Sequence, residues 1–370
     1  MAWRLMLHVA AATLSHPEDG RRITIESPVP AALERWLRSD CQRRFDGTEL
    51  KEAVEAAAHL RFGLAHATDT NAFRLIHGAG DQLPGLSVDC YGDHLVVALA
   101  GDAAAQRGII LDALEPWAPQ GIYLKLPPKQ ASTLTEARRA ELAPPEPVWG
   151  RPAPAPLGIV ESGLPFEVYL GDGLATGIFL DQRDNRVRVR QLAAGARVLN
   201  LFGYAGAFTV AAIAGGAAAT VTVDAARAAL ARAERAIGAV SDDLGAHQLV
   251  CEDALDWLRR AARRGELFDL VVLDPPRFAT TKRSRFRAAT DYRSLAARAL
   301  RCVAPGGRLL ACTNHRGITV RKLRQALRDG AADADRQLLA VESLPPPIDF
   351  PPDPERGPHL KTLLAEVGPK

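Results

Sequence analysis

The stretch that most restricts the fold runs from Pro144 to Pro156 and reads Pro-Pro-Glu-Pro-Val-Trp-Gly-Arg-Pro-Ala-Pro-Ala-Pro. Each proline removes a backbone donor and fixes φ, so no helix or central strand can pass through it. It is expected to be an extended, stiff linker. A chain of 370 residues is too long for one ordinary core and suggests about two domains. The linker sets residues 49–143 apart from residues 157–370, with residues 1–48 as an N-terminal extension.

The two sides differ in pattern. On the N-terminal side, Pro30 to Arg44 and Glu49 to Leu64 have helical spacing. Phe73 to Ile76, Leu86 to Val88, His94 to Leu99 and Ile122 to Leu126 read as short strands, with Gly92-Asp93 as a hairpin turn. Short strands flanking a helix imply a small α+β domain. On the C-terminal side, strands at Arg197 to Phe202, Ala219 to Val223, Gln248 to Cys251, Phe268 to Leu273 and Arg308 to Cys312 alternate with helices at Ala207 to Ala214, Ala225 to Val240, Ala254 to Arg263 and Arg293 to Val303. That alternation predicts an α/β, Rossmann-like domain with a mostly parallel sheet. Leu344 to Pro358 is expected to be an ordered loop before a last strand, Leu360 to Val367.

Composition narrows the function classes. No apolar run approaches the roughly 20 residues of a membrane span. Met1 to Leu14 reads as part of the fold, not as a secretion signal. The five cysteines (Cys41, Cys90, Cys251, Cys302 and Cys312) lack paired spacing. They imply free thiols in the cytoplasm, with neither a disulfide framework nor a metal site. A net charge of +3 permits a nucleic-acid partner without requiring one.

Four strand ends carry the chemistry. After the first, Asn200 and Phe202-Gly203-Tyr204-Ala205-Gly206 form a glycine turn, too bulky for a pyrophosphate cradle but placed where open α/β sheets bind ligands. Asp224, followed by Ala225, ends the next strand and can accept ribose hydroxyls or cap a helix. Asp253, followed by Ala254, stands after the third and can accept from an adenine amino group or serve as a cap. After the fourth strand comes Asp274-Pro275-Pro276-Arg277-Phe278, where two prolines hold the backbone extended and leave the carboxylate and carbonyls facing the cleft. A glycine turn, Asp224, Asp253 and Asp-Pro-Pro at successive strand ends follow the pattern expected of an S-adenosylmethionine site. Asp-Pro-Pro is a methyltransferase device for holding a planar base.

From about Glu49 to Val367 the chain resembles class I S-adenosylmethionine-dependent rRNA methyltransferases, specifically the large-subunit cytosine-5 family. The motifs are Phe73 to Gly78 with Asp81 to Leu86, Ile122 to Lys125, Gly177-Ile178-Phe179-Leu180-Asp181-Gln182-Arg183 with Asn185-Arg186, the glycine turn, and Asp274 to Phe278. The resemblance implies S-adenosyl-L-methionine as donor, S-adenosyl-L-homocysteine as product, and a small central domain that helps hold RNA. It also implies that Phe179, Asp181, Gln182 and Arg183 lie over the donor. Two features depart from the family. Residues 1–48 do not clearly show its N-terminal RNA-binding domain, so they are an extension or a degenerate RNA-binding module. And the family's nucleophilic cysteine falls on Asn314, with Cys312 one pleat away on the same strand face. Guanine N7 has its own lone pair and needs positioning rather than a thiolate, and similar enzymes that methylate it carry an asparagine in this region.

Arg277, Lys282, Arg283, Arg285 and Arg287 open a basic run that also takes in Arg293, Arg298 and Arg301, suited to RNA phosphates. Phe278, Phe286 and Tyr292 within it could stack on an extruded base. The expected activity is methyl transfer to a base of RNA, foremost large-subunit rRNA, at cytosine C5 by family or by non-covalent chemistry such as guanine N7 by Asn314. Asp274, Pro275, Pro276 and Asn314 would act on the base, with Cys312 more fitted to packing than to attack. The alternatives are a small-molecule or protein methyltransferase, or a non-catalytic RNA-binding factor on the same fold. A homodimer is compatible with the reading.

Overall fold

The structure, a computed structural model, describes residues 11–16, 19–26, 47–117, 120–128, 140–280 and 285–368. The expected helix at Pro30 to Arg44 lies outside the described residues, as does Met1 to Ala10. Ala11–Ser15 (β1) and Arg22–Glu26 (β2) pair as an antiparallel hairpin.

Helix α1 (Gly47–Leu60) begins just ahead of the expected boundary at residue 48 and is followed by a single turn, α2 (Phe62–Ala65). Its apolar stripe, Leu50, Val54 and Ala57, is buried at the i, i+4, i+7 spacing of one helix face. The stripe packs on a sheet ordered β3 (Ala72–His77), β4 (Leu86–Tyr91), β5 (His94–Leu99), β6 (Gly121–Lys125) and β7 (Trp149–Gly150). Helix α3 (Arg107–Leu114) carries the chain from β5 to β6, which pair in parallel, while the other neighbours are antiparallel. β7 belongs to the proline-rich stretch, so that stretch is more than a spacer. Its proline-free centre adds an edge strand, where missing donors elsewhere in the segment cost no ladder bonds.

A hairpin that sequence pattern did not signal follows, β8 (Leu157–Glu161) and β9 (Leu164–Val168). Its residues Ile159, Leu164 and Phe166 share a core with Tyr91 and Tyr123 of the small sheet and with Val210 and Ala211 beyond it.

The second sheet has seven strands, β10 (Arg197–Leu201), β11 (Ala219–Asp224), β12 (His247–Cys251), β13 (Phe268–Leu273), β16 (Val303–Thr313), β17 (Leu338–Leu344) and β18 (Lys361–Val367). A short hairpin, β14 (Phe278–Thr280) with β15 (Arg285–Arg287), intervenes. The order is β12-β11-β10-β13-β16-β18-β17, parallel as far as β16 and antiparallel thereafter. Side chains alternate between the faces. Leu199, Val271 and Leu309 pack under α7 (Ala254–Arg263), α8 (Ala288–Leu300) and α9 (Val320–Asp333). Val198, Val272 and Leu310 pack under α4 (Arg183–Leu192) and α5 (Ala207–Ala214), and α6 (Arg227–Gly238) joins β11 to β12. Helices thus cover both faces, as the alternation required.

One carboxylate joins the two sheets. Asp349, fully buried, accepts from Arg183 Nη2 at 2.5 Å and Nη1 at 3.0 Å and from the backbone N–H of Arg74 in β3 at 2.9 Å. Its carbonyl accepts from Arg61 Nη2 at 3.0 Å.

Candidate functional site

The glycine turn leaves β10 through backbone conformations that most side chains avoid. Phe202 (φ 58°), Tyr204 (φ 48°) and Gly206 (φ 77°) are all left-handed, a cost of order 1–3 kcal/mol for each non-glycine. Three bonds hold them there. Gly203 N–H donates to Val223 O at 3.1 Å, Gly206 N–H to Gly203 O at 2.8 Å, and Tyr204 N–H to Asp224 Oδ2 at 2.9 Å. A Cβ on Gly203 would stand 2.4 Å from Thr222 Cγ2, so only glycine lets the turn lie this close to β11.

The carboxylates follow from the neighbouring strand ends. Asp224 also accepts from Ala226 N–H at 2.8 Å through Oδ1, which makes it a turn-holder and leaves further lone pairs for hydroxyls. Asp253 is the N-cap of α7, accepting from Leu255 N–H at 2.9 Å and Asp256 N–H at 3.1 Å, so its capping role is real. Asp274 accepts from Gln182 Nε2 at 2.8 Å, and Gln182 is itself held by Asn185 Nδ2, 2.5 Å from its Oε1. Desolvation, then the nearby charge of Asp181, pushes the Asp274 carboxyl up to about 7. Desolvation likewise raises Asp181 to about 6 against the pull of Arg74 and Arg186.

These groups line one cleft of about 1420 Å³, larger than the roughly 300–1,000 Å³ of a single small-ligand site. Phe179, Asp181 and Gln182 form one wall; Phe202 to Ala205 with Asp224, Ala225, Asp253 and Ala254 form the floor. Asp274 to Phe278 with Arg287 and Asn314 close the far side. The Phe179 and Tyr204 rings, 5.5 Å apart, flank its mouth, and Phe179 and Phe278 are 51% and 62% exposed.

Other expected residues stand outside the lining. Arg183 turns away to Asp349. Asn200 is buried beneath the turn, donating to Thr209 Oγ1 at 3.0 Å, and Gly206 packs on Ala233. Cys312 is fully buried among Val272, Leu310 and Leu364. Its Sγ lies 3.7 Å from Thr362 Oγ1 and 3.8 Å from Gln182 Oε1, and burial followed by the charge of Asp274 holds the thiol well above its ordinary range. Phe286 and Tyr292 are buried in the core, which removes Tyr292 from base stacking, while Phe286 touches the cleft from below. Of the basic run, Lys282 and Arg283 lie outside the described residues and only the backbone of Arg285 is described. Arg293 is paired with Asp333.

Sequence reasoning missed Pro127, Pro128, Leu174, Arg186, His315 and Leu360, all in the lining. As Pro275-Pro276 follows β13 after Asp274, so Pro127-Pro128 follows β6 after the single residue Leu126. Lys125, just before it, donates from Nζ to Leu170 O and Gly173 O at 2.5 Å each, which fixes the loop that carries Leu174 over the cleft. Among the described residues, no helix is long and apolar enough to cross a membrane, and no group of acidic, His or Cys side chains is arranged to hold a metal.

Comparison with known proteins agrees with this geometry. Residues 138–366 match the family model described as S-adenosylmethionine-dependent methyltransferase. The chain is 32% identical over 331 residues to ribosomal RNA large subunit methyltransferase I of Escherichia coli (strain SMS-3-5 / SECEC), covering 88% of this chain and 81% of that protein. It is 32% identical over 327 residues to the protein of the same name in Klebsiella pneumoniae (strain 342), covering 88% and 80%. The solved structure of SMU.776 complexed with SAH superimposes with a TM-score of 0.77 at 30% identity, over 88% of this chain and 83% of that one.

Proposed function

Because the chain belongs to the S-adenosylmethionine-dependent methyltransferase family, we propose that it methylates a base of large-subunit ribosomal RNA without a protein thiol as nucleophile. The donor's sulfonium makes its methyl carbon electrophilic. The residues present fit such a donor. The close-lying glycine turn and Asp224 suit its methionine and ribose parts, Asp253 its adenine, and the Asp181–Asp274 pair offers negative charge to a cation.

The observation that carries the acceptor reading is the contrast between Cys312 and Asn314. The thiol is shut in the sheet core and held protonated, whereas Asn314 lines the cleft with Oδ1 3.3 Å from Arg277 Nε. An asparagine whose oxygen is engaged by an arginine keeps its amide hydrogens for a base acceptor. Methylation of guanine N7, which supplies its own lone pair, needs no more than such positioning. Names borne by the relatives support rRNA as the acceptor, and that substrate implies a cytoplasmic enzyme. We further propose that the small sheet of β3 to β7 helps to seat the RNA.

The test is to incubate the enzyme with large-subunit rRNA from a deletion strain and isotopically labelled donor, then map the label by nucleoside mass spectrometry. Label in 7-methylguanosine is expected. Label in 5-methylcytidine would overturn the non-covalent reading, and donor turnover without RNA labelling would point to a small-molecule or protein acceptor.

A further inference from the structure

Four buried and half-buried arginines are paired with carboxylates, while Lys125 and Arg336 give their donors to backbone carbonyls. Arg61 meets Asp81 at 2.7 Å, Arg74 meets Asp89 at 2.5 Å, Arg183 meets Asp349, and Arg186 meets Glu161 at 2.7 Å. One group beside the cleft instead brings several cations together. Arg277 comes from the loop after β13, His315 and Arg316 from the loop after β16, His359 from the approach to β18 and Lys361 from the start of that strand. Lys361 Nζ ties the last two loops together, donating to His315 O at 3.0 Å and His359 O at 2.9 Å. Among the described residues, the Arg277 side chain bonds only to the neutral Asn314 side chain.

The charged groups bearing on Arg277, His315, His359 and Lys361 are cations. Arg316 bears on Arg277. Arg277 and Lys361 bear on His315, and Arg277, Arg74, Lys361 and Arg316 on His359. Burial, then Arg277, brings Lys361 down to about 8. Arg316 is exposed and free to swing over the rim. Cations converging with no carboxylate among them repel one another, and an incoming anion relieves that repulsion. Guanidinium groups suit phosphate oxygens above all.

We propose that Arg277 and Arg316 bind a phosphodiester of the RNA strand next to the target base, with Lys361 as a positioning residue that fixes the two loops from beneath. The assignment rests on the RNA reading above and adds to it a location on the protein. It also gives the cleft a polarity. Asp224 and Asp253 serve the donor on the floor, and the arginines serve the polyanion at the far side.

The experiment titrates a fluorescent single-stranded RNA of the target sequence against wild type, Arg316→Ala, Arg277→Ala and Lys361→Met over a range of salt, with donor affinity measured by calorimetry in parallel. Arg316→Ala should weaken RNA binding about tenfold or more and reduce the log–log salt slope by about 0.7. Arg277→Ala should do the same, Lys361→Met should weaken binding with a smaller change of slope, and donor affinity should hold within about twofold in each. Unchanged RNA affinity and slope in both arginine variants, beside a wild type that binds and methylates RNA, overturns the phosphodiester site and leaves the function standing. Parallel loss of donor affinity would reassign the anion to the donor's carboxylate and overturn the site as well. A wild type that binds no RNA brings down both.

Discussion

Gln182 Nε2 donates to Asp274 Oδ2 at 2.8 Å, joining the segment before α4 to the carboxylate that ends β13. Gln182→Leu should deprive Asp274 of that donor, raise its pKa further and lower donor affinity by roughly tenfold or more, since hydrogen bonds to charged groups contribute about 1.5–3 kcal/mol. Calorimetry measures it. Wild-type affinity in this variant would mean that Asp274 does not contact the donor.

The Asp181 and Asp274 carboxyls are raised to about 6 and about 7, so the donor-free fold prefers them neutral. Their contribution to donor-free stability is present below the ordinary carboxylate range and is lost as pH rises through 6 to 7. A cationic donor prefers them ionised, so its affinity should climb between pH 5.5 and 8, by at most about tenfold per pH unit for each proton released. The thermal shift at saturating donor should be larger at pH 8 than at pH 5.5. The neutral product should show a flatter profile in the same assay.

Asp224 serves the turn and, by proposal, the ribose. Asp224→Ala should lower donor affinity a few-fold to about tenfold for a lost neutral hydrogen bond, with an added loss from freeing Tyr204 N–H. Asp224→Asn keeps an oxygen acceptor and should recover part of that loss. Equal affinities for wild type and Asp224→Ala would remove Asp224 from the donor site.

Cys312→Ala should retain most activity and lose about 1 kcal/mol of stability from the small cavity it leaves. Asn314→Ala should fold normally and lose most of its turnover. RNA carrying 5-fluorocytosine discriminates further. A covalent adduct that Cys312→Ala abolishes would restore cytosine-5 chemistry.

Much of the catalytic sheet was legible because its central strands are covered on both faces. β10 and β13 are nearly continuous apolar runs, and α5 and α7 have the bounds that their patterns imply. α4 escaped because its inner face is polar. Arg183, Asn185 and Arg186 are buried there beside Val189, so no apolar period exists to detect. The start of β16 was hidden by Pro305-Gly306-Gly307, which reads as a turn but sits in an irregularity where the pairing jumps from Phe268↔Val303 to Leu270↔Arg308. The site residues at strand ends were readable from type and position. The convergence of Arg277, Arg316 and Lys361 was not, because only the sheet order brings the loops after β13 and β16 beside β18. Arg183 misled for a related reason. Its motif places it beside the donor segment, but its partner Asp349 lies 166 residues away.

Asp349 also sets an order of events during synthesis. The ribosome makes β3, α4 and their arginines long before it makes Asp349, and domains generally fold as they emerge. Until residue 349 arrives, Arg183 and the N–H of Arg74 lack the carboxylate they share in the finished protein. The small sheet and α4 therefore lock together only near the end of translation. A nascent chain halted between Ala340 and Pro347 should hold the seven strands' early members yet leave the wall of Phe179 to Gln182 loosely seated, so donor capture belongs to the last moments of chain growth.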